Sequence, residues 1–166
     1  MSLEAISRMN VPIRIFGIGS PFGDDRAGWE VAGALAHSFD PSLVSVTIHD
    51  RPGAKLIAMM HGAQCVVLVD AVKSGAAPGT LHRLEGQAIQ RTVAKYTSTH
   101  GFGLAEALQL AERLGDIPPR IVFWGIEIET TSINEEVGSI VRDALPALIK
   151  AVADEVDALQ ATKMVC

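Results

Sequence analysis

At 166 residues the chain has the length of one domain, long enough to bury a sizeable core and too short for two ordinary ones. With 48% apolar and 20% charged residues it sits in the globular class, and a net charge of −5 with no basic run excludes a nucleic-acid footprint or an electrostatic hold on anionic membrane. The two cysteines, Cys65 and Cys166, make neither a metal-type spacing nor a disulfide framework, which points to the cytoplasm, and no apolar stretch approaches the roughly 20 residues a membrane span requires.

In chain order, Ile13 to Gly19 begins as a β-branched strand and ends in glycines that suit a tight exit into a loop. From Asp25 the small and apolar residues Gly28, Val31, Ala32, Leu35 and Phe39 recur at helical steps. A second strand is expected over Val44 to Ile48, a short helix from Ala54 to His61 stopped by Gly62, and a third strand over Cys65 to Val69. That third run is apolar on both faces, the mark of a central parallel strand. A fourth strand, Thr80 to Leu84, follows too soon for a parallel crossover and is expected to run antiparallel.

Residues 85–99 read only as a connection with a helical turn. Leu104, Leu108, Ala111 and Leu114 mark an amphipathic helix ended by Gly115 and Pro118-Pro119, and Ile121 to Ile126 forms a fifth strand. The last helix opens on a capping-box pattern, Ser132 with Glu135, runs to Val156, and is expected to kink at Pro146. Alternating strands and helices specify a single three-layer α/β/α domain over residues 1–166, with its core in 13–160 and a mostly parallel sheet.

In such sheets ligands bind beyond the carboxyl ends of the parallel strands. Asp24 and Asp25 follow strand one, Asp50 and Asp70 end strands two and three, and His100 precedes the helix after residue 102. Each has an ordinary role when taken alone: a first-turn carboxylate, a loop-amide acceptor, a capping imidazole. Together Asp25, Asp70 and His100 form an oxygen and nitrogen ligand set suited to a divalent transition metal with positions open for water or substrate. The Gly17-Ile18-Gly19 turn lacks the third glycine of a dinucleotide fingerprint, since Phe22 stands there, and Asp50 lies too far downstream for the ribose contact. No phosphate loop, GxSxG elbow or HExxH helix is present. His37, His61 and His82 read as structural or solvent-facing, His49 is expected on the opposite sheet face from Asp50, and Cys65 reads as core.

The stretch Gly17-Ile18-Gly19-Ser20-Pro21-Phe22-Gly23-Asp24-Asp25 resembles the opening motif of the hydrogenase maturation proteases. Val69-Asp70-Ala71, Ser98-Thr99-His100 followed by Gly103-Leu104, and Gly125-Ile126-Glu127 match that family's later motifs in the same order. The resemblance implies a five-stranded α/β/α fold with one antiparallel strand. It also implies a hydrolase, an aspartic-type endopeptidase that removes a C-terminal extension from the nickel-iron hydrogenase large-subunit precursor after nickel insertion. By the same resemblance Asp25, Asp70 and His100 are the metal-binding and catalytic residues, the nickel being supplied by the precursor. Ser20, Arg26, Arg51-Pro52-Gly53 and Ile128 depart from the family's common pattern, and Arg26 and Arg51 are expected to border the cleft. Two other readings remain open at this point: a general metal-dependent peptidase or amidohydrolase, and a nucleotide-binding module without hydrolytic activity.

Overall fold

A computed structural model describes residues 11–96, 103–129 and 136–163. Its centre is a five-stranded sheet of order β2-β1-β3-β5-β4, formed by β1 (Ile13–Gly19), β2 (Val44–Asp50), β3 (Cys65–Val72), β4 (Leu81–Glu85) and β5 (Arg120–Glu127). All neighbouring pairs are parallel except β4 with β5, as the short β3–β4 connection requires. The chain passes from β1 outward to β2 and then back across to β3, so the direction of winding reverses between β1 and β3. That reversal opens a crevice at their carboxyl ends.

Side-chain alternation divides the core in two. Ile13 and Ile15 of β1 and Cys65, Val67 and Val69 of β3 face α1 (Ala27–Leu35) and the long α5 (Ser139–Lys163). Phe16, Ile18, Val66 and Leu68 face α2 (Lys55–Met60), α3 (Gln87–Val93) and α4 (Leu104–Leu114). The continuously apolar run Cys65 to Val69 of β3 is buried on both faces, and β1 is buried throughout while carrying Arg14.

Several expectations shift in detail. Strand β1 ends at Gly19 as expected, and Gly17 and Gly19 also permit close approach. A Cβ on Gly28 would sit 2.5 Å from Val69 O and closer still to Ile18 O, while one on Gly17 would strike Gly28 itself. At these glycines helix α1 therefore meets β1 and β3 backbone to backbone. Asp25 belongs to a 3-10 turn, Gly23–Arg26, that precedes α1, and the helix stops at Leu35, leaving Phe39 to pack against the core from beyond its end. Strand β3 continues to Val72, so Asp70 lies within the strand and does not end it: its pairing with β5 persists through Val72↔Glu127. The irregular 85–99 stretch contains α3. Helix α5 starts at Ser139 and runs unbroken through Pro146, while the expected cap residues Ser132 and Glu135 lie outside the described residues.

Buried polar groups are anchored to backbone. The Arg14 guanidinium donates from Nη1 to Met59 O at 2.6 Å and His61 O at 2.9 Å, closing the carboxyl end of α2, and burial pulls its pKa down. Cys65 is a buried free thiol, as its apolar strand implies. Among the described residues no helix is long and apolar enough to cross a membrane.

The glycine contact yields a paired test. Gly28→Ala forces a methyl group into two strand carbonyls and is expected to lower unfolding free energy by on the order of 2–3 kcal/mol. Gly33→Ala, on the open face of the same helix with nothing within 4 Å, is expected to raise it by about 0.5–1 kcal/mol. Urea denaturation of both variants reads the difference.

Candidate active site

The crevice between β1 and β3 is a cavity of about 130 Å³. Its wall is apolar where Ile18, Leu56, Val72 and Phe123 face it, and polar at Asp25, Asp70, Arg51 and Lys73. Each polar group arrives on a different element. Asp25 hangs from the 3-10 turn, 5% exposed, its carbonyl accepting from the Ser20 N–H at 3.3 Å and pressed against the bare Cα of Gly19. Asp70 comes from β3 and accepts from the Ala71 N–H at 2.8 Å. Arg51 enters from the β2–α2 connection and Lys73 from the β3–β4 connection.

Adjacent acids in the sequence have opposite tasks. The Asp24 carboxylate turns away from the cleft and accepts from the Gly138 N–H at 2.7 Å, tying the 3-10 turn to the residue just before α5. A Cβ at Gly138 would lie 3.1 Å from that same oxygen, a tight contact. Asp25 is thereby left facing the cavity.

Burial, and then the negative charge of Asp25, push the Asp70 carboxyl well above the ordinary carboxylate value of 3.8, against the opposing pull of the Ala71 N–H. This coupling means that Asp25 and Asp70 share one low-dielectric site. The third candidate, His100, lies outside the described residues. The residues flanking its segment, Tyr96 and Gly103, both line the cavity.

The remaining candidates separate cleanly. Asp50 forms an exposed pair with Arg51, Nε to Oδ1 at 2.6 Å, and is not part of the cavity wall. Arg26, expected beside the cleft, instead pairs with Glu30 at 3.2 Å one turn along α1, because its position in the 3-10 turn directs it away from the cavity wall. His49 packs edge-on against Phe16 and meets Thr47 Oγ1 at 2.7 Å, on the opposite face from Asp50. His61 pairs with Asp116 at 2.8 Å, and His82 with Glu127 at 3.0 Å.

Glu127 is the polar residue that sequence motifs named without a role. Only 2% exposed, it accepts from Ser74 N at 2.8 Å, Gly75 N at 3.1 Å, Ser74 Oγ at 2.7 Å and His82 Nε2 at 3.0 Å. Burial raises its pKa, but these donors outweigh burial and hold it below 4.5. Lys73 and Tyr96 were missed as cleft residues because the first lies beyond the apolar run that marks β3 and the second in a stretch without clear periodicity.

The Asp70 shift makes stability depend on pH with a definite sign. A carboxyl whose folded pKa exceeds its unfolded value stabilises the fold below about pH 4, and that contribution is lost as pH rises through the folded pKa. Asp70→Asn stays neutral throughout, so its stability relative to wild type is expected to climb as pH rises above about 4 and to level off past the folded pKa of Asp70. Thermal melts of both proteins across that range would contradict the coupling if the two curves ran parallel.

Residues 34–155 match the sequence profile of the hydrogenase maturation protease family HycI, a span that includes Asp70 and His100. The hydrogenase expression/formation protein HupD of Thiocapsa roseopersicina is 32% identical over 123 residues, 72% of this chain and 56% of HupD. HoxM of Azotobacter vinelandii is 30% identical over 141 residues, 83% of this chain and 67% of that protein. The chain spans about half the length of the curated relatives it matches first. Among solved structures, the Escherichia coli hydrogenase maturating endopeptidase HybD superposes with a TM-score of 0.80 at 22% identity, covering 92% of this chain and 94% of HybD. The Thermococcus kodakarensis [NiFe] hydrogenase maturation protease HycI gives 0.67 at 24%, covering 92% and 96%, and both likenesses concern the fold. By the extent of the profile match, this chain belongs to the hydrogenase maturation protease family.

Proposed function

We propose that this chain is an endopeptidase that removes the C-terminal extension of a nickel-iron hydrogenase large-subunit precursor, using the nickel already inserted there as its recognition mark. The observation that carries this reading is the electrostatic coupling of Asp25 and Asp70 inside one crevice at the switch point of the sheet. Two carboxylates crowded in a low-dielectric site repel each other, and a divalent cation seated between them relieves both the repulsion and the desolvation. The residues present therefore fit a borne metal. His100 supplies the imidazole ligand in this reading, supported by the two flanks of its segment, Tyr96 and Gly103, lining the same cavity.

The nickel arrives with the substrate, so a precursor without it offers nothing for Asp25, Asp70 and His100 to hold. Cleavage then waits for metal insertion. In hydrolysis a water adds to the scissile carbonyl and the amine leaves with a proton. The apolar wall of Ile18, Leu56 and Phe123 accepts a side chain of the extended peptide. We assign the cytoplasm as the compartment, in keeping with a reduced, buried Cys65.

The test is processing of nickel-loaded and nickel-free precursor followed by mass spectrometry. Wild type is expected to cut only the loaded form, and Asp25→Ala, Asp70→Ala and His100→Ala each to lose at least about 10²-fold in rate. Unchanged cleavage by all three variants defeats the assignment. Efficient turnover of small peptides with no precursor present favours a general metal-dependent peptidase instead.

A further inference from the structure

We infer that Arg51 and Lys73 form a basic subsite that selects a carboxylate-bearing side chain in the bound peptide, an inference that rests on the endopeptidase reading. Both residues line the cavity that holds Asp25 and Asp70, and they enter it from separate connections.

Lys73 is half-buried, and its ammonium is paired with no carboxylate among the described residues. Its backbone is nevertheless tightly fixed. Val72 O accepts from the Ile128 N–H at 3.0 Å on one side, and Ser74 and Gly75 are bound by the buried Glu127 on the other. A long cation displayed from a rigid turn loses little further backbone freedom on binding, which favours recognition over a purely solvating role.

Arg51 carries an independent signal. It is the non-glycine residue with a positive φ, 41°, among the described residues, a conformation costly for a side chain with a Cβ and commonly tied to function. Its N–H donates to Gly19 O at 3.1 Å, fixing it beside the end of β1. The Nε and Nη2 atoms bind Asp50, at 2.6 and 3.4 Å, which orients the planar guanidinium beside the cavity. The sequence keeps a strained arginine where glycine fits the backbone without cost. The guanidinium is the feature that glycine cannot supply.

The test separates peptide selection from cleavage. Fluorescein-labelled extended peptides of Ala, Val and Ser, each carrying one Glu or one Gln at a scanned position, are titrated with the full chain and followed by anisotropy. At the best position wild type is expected to bind the Glu peptide about tenfold more tightly than its Gln partner, and the preference to shrink in high salt. Lys73→Ala and Arg51→Gly each reduce the preference, and the double variant abolishes it. Arg51→Gly also relieves the positive φ, so its Tm is expected at or above that of wild type while its selectivity falls. A merely structural arginine would not separate the two in that way. Equal binding of Glu and Gln peptides by wild type at every position, or undiminished preference in the folded double variant, overturns the subsite. Failure of wild type to process a nickel-loaded precursor overturns the endopeptidase reading and leaves the anisotropy result to stand on its own. Where processing proceeds, the variants are expected to raise KM with kcat within about twofold, as loss of uniform substrate binding requires.

Discussion

Backbone contact between α1 and the sheet sets the geometry of everything around the cleft. Gly17 and Gly28 offer no side chain to one another, so the helix approaches β1 and β3 until its backbone meets theirs. The 3-10 turn that feeds this helix is drawn down with it, carrying Asp25 into the crevice beside β3 and pressing its carbonyl onto Gly19. A methyl group at either glycine would lift the helix, and with it the turn, away from Asp70. Close packing in the layer beneath thus becomes proximity of two charges above it.

That proximity carries an energetic cost. A carboxylate facing another across a desolvated crevice opposes folding, and Asp70 shows it by a strongly raised pKa. Contacts around the crevice brace the turn and the strand that carry the pair. Asp24 is tied to Gly138 at the entrance to α5, and Trp29 Nε1 donates to His49 O at 3.0 Å, linking α1 to the end of β2. Structural polar groups elsewhere show the contrast. Glu127 is 2% exposed, yet four donors satisfy it and its pKa falls.

The cleft combines apolar and charged walls. One wall is aliphatic and aromatic, the acid pair lines the same cavity, and two cations come in from neighbouring connections. Family membership and this chemistry point the same way while resting on different observations. The profile match spans residues 34–155, whereas Asp25 and the glycine contact that positions it lie before that span.

Local sequence determined the elements and the layer order. Period-two and period-3.6 apolar patterns mark the strands and helices, the unbroken apolar run at Cys65 to Val69 marks the centre of the sheet, and the short β3–β4 connection fixes the antiparallel strand. Asp25 and Asp70 were legible as candidates because strand ends in a parallel sheet fall on one edge. Other features came only from tertiary structure. Which acid of Asp24-Asp25 faces the cleft depends on Gly138, more than a hundred residues away in the chain. Strand β3 extends past Asp70 because β5 pairs with it, and no local pattern encodes a partner strand. Lys73 acquires its fixed position from Glu127 in the same manner. Short-range periodicity reports what a segment prefers to be, whereas the direction a polar side chain takes is settled by hydrogen-bond partners and close contacts that exist only once distant segments have packed.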